Sequence, residues 1–322
     1  MINPPRSIYT AHIDVVHGCQ LRCVGCPNSI LQPKILRMPK DTFGTILGNL
    51  DVEHIHTLRL FNFGEPLLHP ELSTLVALIP QQRWKVSIVE ISTNGQKVYW
   101  DDFEEMLKLE VVNRIVISCD GDGTPEDYER LRPPSKWSNF IEFLERARTL
   151  RDRWSPATQL MTRTVCEVEE HRQRWRSVLE PRGWLTEFRR WMYLPGSSQN
   201  MTGHEIKVPN AACGFLAEPE EFRSHPWYGQ IHLVYVDWDG TVVPCCMHPK
   251  AGVLGNLTQQ TYSEIRMGQA RAKLKALMNS DRKSMPICGE CDVGPIGQEG
   301  ASVDAAMDAL KAEAAAMAAS KA

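Results

Sequence analysis

Cys19-Gln-Leu-Arg-Cys23-Val-Gly-Cys26 places three thiols within eight residues, directly after a β-branched run from Ile8 to Val16. Three thiolates on one short loop can hold three irons of a [4Fe–4S] cube and leave the fourth iron open to a small molecule. Structural zinc prefers a C-x2–4-C step paired with a second, distant pair, and a thioredoxin-like dithiol needs only C-x-x-C, so neither use fits this spacing.

Outward from that loop, short apolar runs alternate with helix-like segments, the sign of repeated βα units and a mainly parallel sheet. The strand candidates are Ile8–Val16, His56–Phe63, Val86–Ser92, Val111–Ser118, Gln159–Cys166 and Trp184–Leu194. Helices are expected at Lys40–Leu50, Glu71–Pro80, Trp100–Leu109, Trp137–Leu150 and Glu169–Leu179, with starts at Asp41, Asp101 and Ser138 from their capping chemistry. The pattern predicts an α/β chain folded as a partial (β/α)6 barrel of the TIM type. In such folds the chemistry sits on loops after the C-terminal strand ends.

Three further loops fall in that place. Phe61-Asn62-Phe63-Gly64-Glu65-Pro66 follows the second strand and Ser92-Thr93-Asn94-Gly95 the third. Hydroxyl and amide side chains of the second of these suit sugar hydroxyls, although Asn-Gly is also a plain turn dipeptide. After the fourth strand, Ser118-Cys119-Asp120-Gly121 leads into a polar stretch through Tyr128-Glu-Arg-Leu-Arg132, where Asp-Gly again admits a simple turn. Cys119 and Cys166 have no partner at ligand spacing and read as small buried residues. Trp184 and Trp191 stand seven apart, on opposite faces of an extended strand, so they cannot form one aromatic box.

The C-terminal third breaks the βα rhythm. It carries Cys213, then Val234 to Cys245-Cys246 with an Asp239-Gly240 hairpin turn, then Cys288-Gly-Glu-Cys291. Cys213, Cys245, Cys288 and Cys291 supply four thiolates, enough to close a cube completely; by spacing alone a four-cysteine zinc knuckle is an equal alternative. Adjacent strand residues face opposite ways, so Cys245 and Cys246 do not share one site, and Cys245 is the expected ligand.

With 43% hydrophobic and 23% charged residues the chain has an ordinary globular composition, and a formal charge of −3 gives no electrostatic reason for a nucleic-acid or membrane surface. Met1-Ile-Asn-Pro-Pro-Arg is no signal segment, and no apolar run approaches the ~20 residues of a membrane span, so a cytoplasmic protein with reduced cysteines is expected. Length suggests a core over 1–205, a smaller domain over 206–300 and an alanine-rich helical tail over 301–322.

The Cys19-x3-Cys23-x2-Cys26 loop resembles the signature of the radical S-adenosylmethionine (SAM) superfamily. The resemblance implies that SAM chelates the open iron through its amino and carboxylate groups. It further implies that the reduced cluster cleaves SAM to methionine and a 5′-deoxyadenosyl radical, which takes hydrogen from a substrate. Gly64-Glu65-Pro66 resembles the family's GGEP element, with Phe63 in place of the first glycine, and would meet the SAM amino group. Ser92 and Asn94 would contact the ribose. Arg163, on the fifth strand, could pair with the SAM carboxylate through its fork of donors. Asp120, with Cys19, Cys23 and Cys26, joins the implied catalytic set as a contact to substrate or SAM. The second cysteine group resembles a SPASM or twitch extension through Gly240-x4-Cys245. With no cysteine after Cys291, it implies a twitch-like hairpin-plus-helix domain with one auxiliary [4Fe–4S] cluster.

The implied function is an oxidoreductase acting on a small molecule such as a sugar, aminocyclitol or nucleoside, with an electron donor of the flavodoxin or ferredoxin kind; isomerase or lyase outcomes stay open. Maturation of a ribosomal peptide is the first alternative, although only 18 residues precede Cys19. Nucleobase or nucleic-acid modification has only arginine-rich segments such as His171–Arg176 behind it. A non-catalytic iron–sulfur carrier or redox sensor would leave the loops at Gly64 and Ser92 without a use.

Overall fold

The computed structural model describes residues 6–217 and 233–295; the tail expected over 301–322 lies outside them. Six parallel strands form the core: β1 (Ser7–Ile13), β2 (His54–Arg59), β3 (Lys85–Thr93), β4 (Arg114–Asp120), β5 (Gln159–Val165) and β6 (Leu185–Arg189). They pair in sequence order, as right-handed βα repeats dictate. Three more strands continue the same sheet, β7 (Leu233–Val236), β8 (Thr241–Val243) and β9 (Gly255–Asn256), giving the order β9-β8-β7-β1-β2-β3-β4-β5-β6. The sheet is therefore open at β6, a partial barrel rather than a closed one.

Helices α1 (Lys40–Gly48), α2 (Leu72–Val76), α3 (Trp100–Lys108), α4 (Pro125–Leu131), α5 (Trp137–Trp154) and α6 (Glu169–Leu179) follow successive strands. Apolar residues at helical spacing bury against the sheet, among them Phe43, Ile46 and Leu47 of α1, Phe103, Met106 and Leu107 of α3, and Phe140, Phe143 and Leu144 of α5. Two helices, α7 (Tyr262–Arg266) and α8 (Gln269–Asp281), follow β9.

Helix starts differ from expectation. Lys40, Trp100 and Trp137 open their helices, one residue before Asp41, Asp101 and Ser138, and none has a side-chain cap from the preceding residue. At α5 a tertiary contact takes the place of a local cap: the Trp137 N–H donates to Glu129 of α4 at 2.9 Å. Helix α4 was not anticipated, though its Thr124-Pro125 opening is a regular capping pattern, with Thr124 accepting the Asp127 N–H. Strands β1 and β2 also end earlier than their apolar runs, because Asp14 and residues 62–64 turn toward each other at the barrel mouth.

The hairpin expected around Asp239-Gly240 is present. Gly240 sits at φ +86°, and β7 and β8 pair antiparallel across it. Less expected is that β7 pairs parallel with β1, from Thr10 opposite Leu233 to Ile13 opposite Val236. The C-terminal cysteine hairpin is thus part of the core sheet.

Candidate functional site

Three loops lock together at the strand ends. Asp14, at the end of β1 and 5% exposed, accepts the backbone N–H groups of Asn62 (2.7 Å), Phe63 (3.0 Å) and Gly64 (3.0 Å). Burial pushes its carboxyl up to about 6, against those three donors. A Cβ at Gly64 would stand 1.7 Å from the Val16 carbonyl oxygen, so this position admits glycine alone. Phe63 has no such demand: its φ is not positive, and it contributes backbone groups alone, its N–H to Asp14 and its carbonyl accepting Asn28 Nδ2 at 2.8 Å. That is why the element keeps its shape without the first glycine.

Glu65 joins the second loop to the others. Its backbone N–H donates to Gly18 O at 3.1 Å, beside the cysteine loop. Its carboxylate accepts the Thr93 hydroxyl (2.6 Å), the Asn94 N–H (2.7 Å) and the Leu67 N–H (3.0 Å), while Pro66 opens the short 3-10 turn Pro66–Leu68. Desolvation raises its carboxyl to about 7, with those hydrogen bonds opposing. The Asn94 side chain then reaches back: Oδ1 accepts Gln20 Nε2 at 2.9 Å, and Nδ2 lies 3.4 Å from Cys19 Sγ. Ser92 meets Ser118 at 3.3 Å across β3 and β4.

Cys19, Cys23 and Cys26 are brought close enough to act on one another, each thiol raised chiefly by burial with a backbone N–H opposing; that of Cys26 reaches about 11. Cys19 Sγ accepts the Leu21 N–H at 3.4 Å as well as Asn94 Nδ2. Donors aimed at a sulfur suit a thiolate iron ligand, whose potential such bonds adjust. The loop backbone is clamped by the segment after α4: Arg22 N–H donates to Pro133 O (2.6 Å) and Val24 N–H to Leu131 O (2.8 Å). Between those carbonyls Arg132 turns inward, pairs with Asp120 and lends positive charge to Cys23 and Cys26. Neither Asp14 nor this role of Arg132 was legible in the sequence; the capacity of a strand-end aspartate to collect N–H groups was the one available signal.

Arg163 differs from expectation. Its guanidinium pairs with Glu90 of β3, Nη2 at 2.8 Å from Oε2, and lies 4.0 Å from Glu187. Arg59 and Arg114 close on the same carboxylate at 3.0 and 2.9 Å, holding it well below the usual range despite complete burial. The sheet thus gives Arg163 a carboxylate of the protein's own. His12, beside Arg59, is held neutral, its pKa lowered to about 3 chiefly by burial.

The second cysteine group also converges. Cys245, Cys291 and Cys213 share one apolar cluster, while Cys213 and Cys288 adjoin a second. Cys213 and Cys291 both act on the Cys245 thiol, which burial raises most. Strand β8 ends at Val243, before both cysteines, so strand alternation does not set their directions; Cys246 also acts on Cys245 but is hydrogen-bonded to Tyr235, with Arg59 near. Cys119 and Cys166 are buried, Cys119 Sγ meeting Thr164 Oγ1 at 3.0 Å. Among the described residues no three His, Cys, Asp or Glu side chains are drawn together as one metal ion would draw them. The fit to iron–sulfur groups rests on the thiol chemistry and the donors around it. No described helix is long and apolar enough to cross a membrane.

Comparison with known proteins agrees with this geometry. Residues 13–173, half of the chain, match the family model described as radical SAM superfamily, and residues 228–292 match SPASM, an iron-sulfur cluster-binding domain. No curated protein matches the sequence. Among solved structures, native anSMEcpe with bound AdoMet shares the fold at TM-score 0.57 and 14% identity, over 94% of this chain and 96% of that one. The same protein with AdoMet and the Cp18Cys peptide gives TM-score 0.56 and 15% identity, over 89% of each chain. The cysteine loop, the interlocked strand-end loops and the matched segments lead to one conclusion: this chain belongs to the radical SAM superfamily, with SAM and a [4Fe–4S] cluster as its cofactors and an iron–sulfur-binding SPASM domain at its C-terminal side.

Proposed function

We propose that this radical SAM enzyme is an oxidoreductase that removes hydrogen from a polar small molecule such as a sugar, an aminocyclitol or a nucleoside. When bound, the first cluster with SAM supplies a 5′-deoxyadenosyl radical and one auxiliary cluster supplies a one-electron acceptor. In this reading Cys19, Cys23 and Cys26 hold the first cluster, and Cys213, Cys245, Cys288 and Cys291 hold the second. Asp14, Glu65 and Asn94 fix the loops that receive SAM. Ser92, Ser118 and the Asp120–Arg132 pair present polar groups toward the barrel mouth, where a hydroxylated substrate would be oriented.

The observation that carries the oxidative reading is the adjacency of Cys245 and Cys246. Cys246 is hydrogen-bonded to Tyr235, whose ring lies 4.9 Å from that of His12 at a 31° tilt, while Cys245 packs with Cys213 and Cys291. The acceptor site therefore lies just past the end of β8, beside Cys246 and, through Tyr235 of β7, close to His12 of β1. Deuterium transfer from a labelled substrate into 5′-deoxyadenosine, with about eight irons per chain as two cubanes require, tests the proposal. About four irons plus zinc would remove the acceptor. Peptide modification is the second reading, supported by the peptide bound to the anSMEcpe neighbour.

A further inference from the structure

Arg282 follows α8 in the short 3-10 turn Arg282–Ser284 and is completely buried. A buried guanidinium normally meets a carboxylate, since an uncompensated interior charge is strongly disfavoured. Among the described residues Arg282 meets backbone carbonyls instead. Nε donates to Cys288 O (3.0 Å), Nη1 to Ala211 O (3.0 Å) and Val293 O (2.7 Å), and Nη2 to Cys291 O (2.8 Å). Two of those carbonyls belong to candidate ligands of the auxiliary site, and the other two lie two residues from one.

Carbonyl dipoles solvate the cation but leave its charge uncancelled. Cys213, Cys288 and Cys291 stand within its electrostatic reach and, as cluster thiolates, would offset that charge. A cube held by four thiolates is net negative and gains one more negative charge on taking up an electron, so a fixed cation beside it favours the reduced state. Only arginine offers a planar fork that can reach four carbonyls at once and stay charged throughout.

We propose that Arg282 is the built-in counter-charge of the auxiliary iron–sulfur site, drawing residues 288–293 against 211–213 and raising the reduction potential of the cluster they hold. This rests on the reading of Cys213, Cys245, Cys288 and Cys291 as its ligands. Arg282 is a positioning residue: it touches neither substrate nor SAM.

The test uses the full chain carrying Cys19→Ala, Cys23→Ala and Cys26→Ala, so that the auxiliary cluster alone gives the signal. Its midpoint potential is read by EPR-monitored titration with Arg282, with Arg282→Lys, which keeps the charge, and with Arg282→Gln, which keeps two donors and loses it. The expected result is a potential near the parent value for Lys and a shift to more negative potential for Gln. An unshifted Gln chain, or a Lys chain shifted as far as Gln, overturns the proposal. If the Gln chain fails to hold iron, the unaltered holoprotein decides: its auxiliary cluster is expected to be reduced before the SAM-binding one, and the reverse order overturns the proposal. A triple-alanine chain that holds no iron removes the ligand reading itself, a failure distinct from an unshifted potential.

Discussion

The carboxylate of Glu65 receives the Asn94 backbone N–H at 2.7 Å, and the Asn94 side chain in turn lies 3.4 Å from the sulfur of Cys19. One buried acid thereby ties the loop after β2 to the loop after β3 and, through it, to the cysteine loop after β1. The three loops form a single hydrogen-bonded frame around the mouth of the barrel, so a change in any one of them reaches the other two.

Gly64 and Phe63 separate shape from side chain in that frame. Gly64→Ala puts a methyl 1.7 Å from the Val16 carbonyl and should cost about 3 kcal/mol or more, with loss of SAM binding. Phe63→Gly leaves the N–H to Asp14 in place and should cost only about 1 kcal/mol in backbone entropy and lost packing. Denaturant titration and equilibrium SAM binding read the pair; equal behaviour of the two variants contradicts the account.

Asp14 predicts a pH dependence. Its folded carboxyl titrates at about 6 against an ordinary 3.8, so between those values the folded chain binds more proton than the unfolded one. Its contribution to stability is therefore fullest below pH 3.8 and declines as pH rises toward 6. Glu65 and Asp237, both raised to about 7, act in the same direction, so Asp14→Asn isolates the effect. The variant's stability relative to the parent should improve as pH rises from about 4 to 6 in urea denaturation of the iron-free chain. A difference independent of pH contradicts the assignment.

Glu90 works with the opposite sign. Three arginines hold its carboxyl well below 4.5, so its contribution is present above that pH and fades only in stronger acid. Glu90→Gln removes the one buried acid that Arg59, Arg114 and Arg163 share and should cost about 3–5 kcal/mol at neutral pH. A loss below ~1 kcal/mol would show that the surface-pair value applies instead.

Cys245 and Cys246 should part company on iron content. Cys245→Ser is expected to drop bound iron from about eight to about four per chain, while Cys246→Ser keeps both clusters. Iron analysis after anaerobic reconstitution distinguishes them, and a loss confined to Cys246→Ser would exchange their roles.

Much of this architecture is written locally. The alternation of β-branched runs with amphipathic segments located all six core strands, because each must bury a face that its own residues declare. The cysteine spacing located the mouth. What escaped depends on partners far away in sequence. Pairing of β7 with β1 joins residues more than two hundred positions apart, and no local pattern announces it. Arg163 resembles a free strand arginine until β3 brings Glu90 beside it. Arg282 lies in a polar segment that reads as surface, and only the fold of residues 211–213 and 288–293 over it makes it a buried cation.

The central claim is that Cys19, Cys23 and Cys26 present an open iron to SAM. Reduced, reconstituted protein incubated with SAM should release 5′-deoxyadenosine, quantified by chromatography and mass spectrometry. Cys23→Ala should release none, and Cys288→Ala should still release some while failing to turn over substrate. Undiminished release from the Cys23→Ala chain, or no release from the unaltered one, would contradict the account.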